Sequence, residues 1–152
     1  MKFNSKNLVG VASAIGLLLA TSSSFAAELL VTKGVAKGTG SRVSLDVVSD
    51  GDVSGFNFTV ALGKVQASKA DLSKCVSELP KGWSGECNLV NGKVILIAMA
   101  DRMTTLPAGA VSIGSIGFNT ADMTKAAQAI TIENMEFVDV KGNVLQATTT
   151  VE

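Results

Sequence analysis

Val53-Ser-Gly-Phe-Asn-Phe-Thr-Val-Ala-Leu62 decides how the rest of the chain is read. Phe56, Phe58, Val60 and Leu62 recur on every second residue, with Asn57, Thr59 and Ala61 between them. A period of two puts the first set on one face of a β-strand and the second set on the other. Burying two Phe, a Val and a Leu contributes roughly 1.5–3 kcal/mol per side chain before chain entropy is subtracted. The chain has six Phe, two of them (Phe3 and Phe25) in the N-terminal leader described below, so this strand holds two of the remaining four. The rest of the chain is read around this strand.

The flanking sequence repeats the pattern. Upstream, Val43, Leu45 and Val47 alternate with Ser44, Asp46 and Val48, and Ser49-Asp50-Gly51-Asp52 reads as a turn. Arg42–Leu62 is therefore expected to be two adjacent strands, most simply an antiparallel pair. Leu29–Thr32 is a short strand ahead of a Gly-rich turn at Lys33–Ser41. Downstream, Gly63–Ala67 reads as an irregular edge and Ala70–Val76 as one helical turn or a loop. Leu79–Glu86 holds Pro80, Gly82 and Gly85 and reads as a loop carrying Trp83. Asn91-Gly92 suits the left-handed dihedrals of a type I′ turn, so Cys87–Ala100 is the clearest hairpin. Val94–Met99 is almost continuously apolar, which predicts cover on both faces.

Asp101–Gly109 is a loop with Pro107. Ala110–Phe118 is a strand whose apolar register shifts near Gly114-Ser115, predicting a bulge. Asn119–Ala129 is a connector, Ile130–Val140 a long strand with an irregularity at Asn134-Met135, Lys141-Gly142-Asn143 a turn, and Val144–Val151 the closing strand. Eight or nine short strands at regular spacing, with turn residues between them, indicate an antiparallel β-sandwich.

Residues 1–26 have the layout of a secretory signal peptide. Lys2 and Lys6 make a positive start, Leu8–Ala20 is an apolar run, and Ser24-Phe25-Ala26 offers small residues for cleavage after Ala26. The run is about 13 residues, short of the roughly 20 that span a bilayer. The mature chain is expected to be a single domain, residues 27–152, with no membrane span, exported to the periplasm or the extracellular space. The leader holds two of the 13 basic residues and none of the 13 acidic ones, leaving 11 against 13 and a net charge of −2. No basic patch points to nucleic acid. Cys75 and Cys87 are the only cysteines, and in an exported chain an even pair reads as a disulfide. Closing a loop of about 13 residues gives about 3 kcal/mol in the chain-entropy model.

Three stretches give the chain a family likeness. Val53-Ser54-Gly55-Phe56-Asn57-Phe58-Thr59-Val60 is similar to the early V-x-G-F-x-F strand of cohesin-like modules. Gly109-Ala110-Val111, leading to Ile113, Ile116 and Phe118, is similar to their G-x-L-x-x-I-x-F strand, and Ile130–Asn143 to their late strand and turn. In this order they cover nearly all of residues 29–150. The chain thus resembles cohesins, which share a broad β-sandwich superfamily with bacterial carbohydrate-binding modules. The resemblance implies a nine-stranded, jelly-roll-like sandwich with a non-catalytic binding role, cohesins binding dockerin modules through one sheet face. The sequence departs from the family at Ala61-Leu62-Gly63-Lys64, where a Tyr-Asp-Pro-like segment is common, and in its cysteine pair. No residue here matches a dockerin-contact motif.

Catalytic readings find little support. The chain has no His, which removes His-based triads and His-containing zinc sites, and no cofactor is expected. Asp50, Asp52 and Asp101 sit in expected turns, where Asp serves its own backbone. Asp50-Gly51-Asp52 is also short of the six to eight oxygens calcium takes, so it reads as a hairpin turn. Asp101-Arg102 carries no assigned role. Trp83, on a loop pinned by Cys75–Cys87, is the candidate binding residue, a rigid anchor for a sugar ring or a protein. Its other reading is a plug folded over one end of the sandwich. With no Tyr and one Trp, the chain lacks a multi-aromatic sugar platform. Recognition of an exported or envelope protein is the first functional expectation. Polysaccharide binding and a structural envelope protein that self-associates by its edge strands are the alternatives.

Overall fold

A computed structural model describes residues 27–34, 40–63, 67–119 and 130–152. The leader at 1–26, the middle of the Lys33–Ser41 turn, residues 64–66 and the connector at 120–129 lie outside the described residues. Ten strands follow in chain order: β1 (Ala27–Gly34), β2 (Gly40–Ser49), β3 (Gly55–Leu62), β4 (Ala70–Asp71), β5 (Trp83–Val90), β6 (Lys93–Ala100), β7 (Gly109–Asn119), β8 (Ile130–Val138), β9 (Val144–Leu145) and β10 (Ala147–Val151). They form two five-stranded sheets, ordered β10-β1-β2-β7-β4 and β5-β6-β3-β8-β9. All pairs are antiparallel except β1 with β10, which run parallel. The described residues contain no helix, so Ala70–Val76 is a two-residue strand followed by turns.

The strand at the centre of the sequence is also central in space. β3 lies between β6 and β8, and Phe56, Phe58, Val60 and Leu62 are all buried. Val43, Leu45 and Val47 of β2 are wholly buried in the same core. β2 and β3 are not paired, contrary to the sequence reading. Two strands that each bury a full apolar face can share one core by facing each other from opposite sheets. The chain therefore crosses between sheets at Ser49–Ser54, and Val53 is buried at the crossing.

Both expected irregularities are present. Leu45 pairs with Gly114 but Asp46 with Ser112, so Ile113 is the extra residue of a bulge in β7. Gly114 has φ +146°, and a Cβ there would collide with the carbonyls of Lys74 and Cys75. The bulge lets the 74–78 segment lie against β7, with the Ser115 amide donating to the Lys74 carbonyl at 2.8 Å. In β8, Asn57 pairs with Glu136 and Thr59 with Glu133, and Asn134 takes φ 52°.

Three further expectations need correction. Trp83–Glu86 are not loop but the first half of β5, because β6 is long enough to pair with them as far as Ala100. The closing strand is two strands: Val144–Leu145 pairs with β8 and Ala147–Val151 with β1, so the chain switches sheets at Gln146. Val94–Met99 is covered on one face alone. Val94, Leu96 and Ala98 are buried, whereas Ile95, Ile97 and Met99 are 37%, 44% and 61% exposed.

Candidate functional site

The outer face of the β5-β6-β3-β8-β9 sheet follows from the registers. One row runs Ser84, Met99, Gly55, Val138, Val144 across all five strands. The next runs Glu86, Ile97, Asn57, Glu136, and a third Asn88, Ile95, Thr59, Glu133. Ile95, Ile97 and Met99 thus form an apolar ridge along β6, with the small residues Gly55, Asn57 and Thr59 beside it. Val90 extends the apolar area at the hairpin end. Met103, in the loop after β6, and Val140, in the turn after β8, lie in loops at the other end, where they line a separate hollow with Gly51 and Asp52. The large hydrophobics exposed among the described residues are Val90, Ile95, Ile97, Met99, Met103, Val140 and Val144, all on this face or the loops at its edge.

The opposite sheet presents a different surface. Its outward positions include the polar Glu28, Arg42, Ser44, Asp46, Ser112, Ser115, Thr148 and Thr150, with half-buried Leu30 and Val48 among them, and Thr150 Oγ1 donates to Glu28 at 2.7 Å. Arg42 donates from Nε to Ser115 Oγ at 3.0 Å and from a terminal nitrogen to Asp71 at 3.2 Å, lying over Gly117. Ser73 donates to Asp71 from its hydroxyl and its amide. Those bonds, followed by Arg42, hold the Asp71 carboxyl at about 2.

The ridge is bordered by charge of mainly one sign. Among the described residues paired across β5, β6, β3 and β8 on this face, Glu86, Glu133 and Glu136 stand with one cation, Lys93, for a formal balance of −2. Lys93 Nζ meets both Glu133 oxygens, at 2.8 and 3.2 Å, across the outer side of β3. Glu86 and Glu136 have no ion pair or hydrogen bond among the described residues.

Cys75 and Cys87 are joined as the sequence implied, with Cα atoms 6.4 Å apart. The bond links the segment after β4 to β5 and so ties the edges of the two sheets together. Trp83 is half-buried and packs on Phe56 with ring centroids 5.7 Å apart, while Phe56 also meets Phe137 at 5.4 Å. The Trp83 indole nitrogen is buried without a hydrogen-bond partner among the described residues. The disulfide and Trp83 therefore support β5 from within the sandwich.

The acidic turns form no assembled centre. The Gly51 amide donates to Ser49 Oγ at 3.1 Å, and the Asp101 amide donates to the Gly82 carbonyl. Asp52 Oδ1 is buried without a hydrogen-bond partner among the described residues. The rest of the Asp52 residue lines an open hollow of about 400 Å³ with Met103, Thr105, Asp139 and Asn143. The Asp139 carboxylate there accepts from the Asn143 amide and side chain and from the Lys141 amide, which lower its pKa. Among the described residues no three His, Cys, Asp or Glu side chains are grouped to hold a metal ion, and no helix is long and apolar enough to cross a membrane.

Sequence reasoning missed the ridge, although a signal for it was present. Asn91-Gly92 fixes β5 against β6, and alternate residues of β5 on one side are Ser84, Glu86 and Asn88. A neighbouring strand so polar on one face leaves the same face of β6 uncovered.

No protein-family model matches the chain, and no curated protein matches it by sequence. Solved structures do match by fold. A non-cellulosomal cohesin from the archaeon Archaeoglobus fulgidus superposes with a TM-score of 0.55 at 14% identity, over 83% of this chain and 86% of that one. A type I cohesin from Clostridium thermocellum, solved as a cohesin–dockerin complex, gives 0.55 at 13% identity over 84% and 94%. The sixth cohesin of Acetivibrio cellulolyticus scaffoldin B, in complex with a dockerin, gives 0.53 at 16% over 82% and 98%. The architecture of this chain is that of a cohesin-like β-sandwich.

Proposed function

We propose that the protein is an exported, non-catalytic recognition module that binds another protein through the outer face of the β5-β6-β3-β8-β9 sheet. One observation carries the reading: every large exposed hydrophobic among the described residues lies on that face or at its edge. A contiguous apolar area rimmed by polar side chains is the usual mark of a protein-binding surface. The fold supports it, because two of the similar structures are cohesins held by dockerins. The leader-like residues 1–26 support export, and the Cys75–Cys87 bond suits an oxidising compartment. Protein recognition is favoured over polysaccharide binding because the one Trp packs inward on Phe56 and no aromatic ring among the described residues lies on the face.

Affinity capture tests this reading. The oxidised protein is immobilised and exposed to envelope and secreted fractions of the source organism. A variant carrying Ile97→Gln and Met99→Gln runs in parallel. One saturable protein held by the native chain and lost from the variant is the expected result. Equal capture by both chains would place recognition elsewhere.

A further inference from the structure

We infer that the partner is a cationic protein segment that inserts one apolar side chain into a hollow over Gly55 and sets Lys or Arg against Glu136 and Glu86. The inference rests on the proposed role of this face and adds the chemistry of what it takes. The Ile97–Met99 ridge has a hollow on each side. One, of about 140 Å³, is lined by Gly55, Asn57, Ile97, Met99, Glu136 and Val138. The other, of about 280 Å³, is lined by Ser84, Gly85, Glu86, Ile97 and Met99. Each hollow has an apolar wall formed by the ridge and one carboxylate without an ion pair among the described residues.

The first hollow exists because residue 55 has no side chain. Its φ is not left-handed, so the backbone does not demand glycine there. A Cβ would stand 3.1 Å from Val138 Cγ2 and 3.9 Å from Met99 Cγ, filling the space between them. Apolar cavities of roughly 150 Å³ accommodate a benzene ring, which sets the anchor at one aliphatic or phenyl side chain.

Charge selects what surrounds the anchor. A partner that covers the ridge also strips water from Glu86 and Glu136, and an unpaired carboxylate resists that strongly. Lys93 cannot compensate, since Glu133 already occupies it. The cations must come from the partner. A second copy of this chain fits poorly, because face-to-face pairing would oppose two surfaces that each carry a formal −2.

The test is selection from a displayed library of randomised peptides against the oxidised full chain. Selected sequences are expected to place an apolar residue beside Lys or Arg. Their affinity is expected to fall at least tenfold on Gly55→Val, by less on Gly55→Ala, and several-fold on Glu86→Gln/Glu136→Gln and in high salt. Trp83 fluorescence on heating reports whether each variant is folded, and Gly55→Ala carries the test should Gly55→Val fold poorly. Binders lost on Ile97→Gln/Met99→Gln but unaffected at residue 55 would overturn the anchor hollow and leave the recognition face standing. Acidic or uncharged binders would overturn the cationic partner. Failure to obtain any binder sensitive to Ile97→Gln/Met99→Gln would overturn both.

Discussion

Leu96 and Ile97 are adjacent, similar in size and both on β6, yet truncating them is expected to have very different consequences. Leu96 is wholly buried beneath the sheet, while Ile97 stands 44% exposed on its outer side. Leu96→Ala removes buried methyl groups and leaves a cavity, which costs about 2–5 kcal/mol. Ile97→Ala removes half-exposed groups and some β-propensity, for a cost under about 1 kcal/mol. Urea unfolding followed by the single Trp, Trp83, measures both. Its ring rests on Phe56 in the core, so unfolding exposes it. The denaturant slope is expected to be unchanged, so the difference appears in the midpoints. Equal losses at the two positions would mean that the outer side of β6 is covered, and the recognition surface assigned to it would not exist.

Other perturbations test other parts of the structure. Gly114→Ala is expected to cost upwards of about 2 kcal/mol, because it combines a glycine-only backbone conformation with a collision against the Lys74 and Cys75 carbonyls. Gly142→Ala, at φ +83° with nothing nearby, is expected to cost only about 1 kcal/mol by the same urea assay. Reducing Cys75–Cys87 is expected to lower stability by about 3 kcal/mol, measured with and without reductant. The Asp71 carboxyl has a lower pKa folded than unfolded, so its contribution is complete above its ordinary 3.8 and is lost as pH falls towards about 2. Asp71→Asn is expected to lower the melting temperature slightly at neutral pH, where that contribution is present, and to flatten the acid limb, so that the two curves converge as pH falls towards about 2.

Much of the fold was legible because its signals are local. The alternation at Phe56–Leu62, the Asn91-Gly92 turn and the register break at Gly114 each depend on a few consecutive residues, and the structure contains all three. What escaped was set by contacts distant in sequence. Whether β2 pairs with β3 or faces it across the core depends on β7 and β8, more than 60 residues later. The split at Gln146 follows from competition between β8 and β1 for the last residues, with the first and last strands pairing in parallel. The candidate surface was missed for a related reason. Ile95 and Ile97 read as core in a continuous apolar run, and only the polar side of β5 shows that nothing lies above them. Trp83 drew notice as the sole Trp, and the structure gives it Phe56 as a neighbour while leaving it half-buried.

The most direct measurement is a titration of the captured protein partner against the native chain and the Ile97→Gln/Met99→Gln variant, with both shown to be folded. The recognition face requires saturable binding to the native chain and at least a tenfold weaker affinity for the variant, since apolar residues at the centre of an interface carry much of its energy. Indistinguishable affinities would contradict it and move recognition away from the β5-β6-β3-β8-β9 sheet.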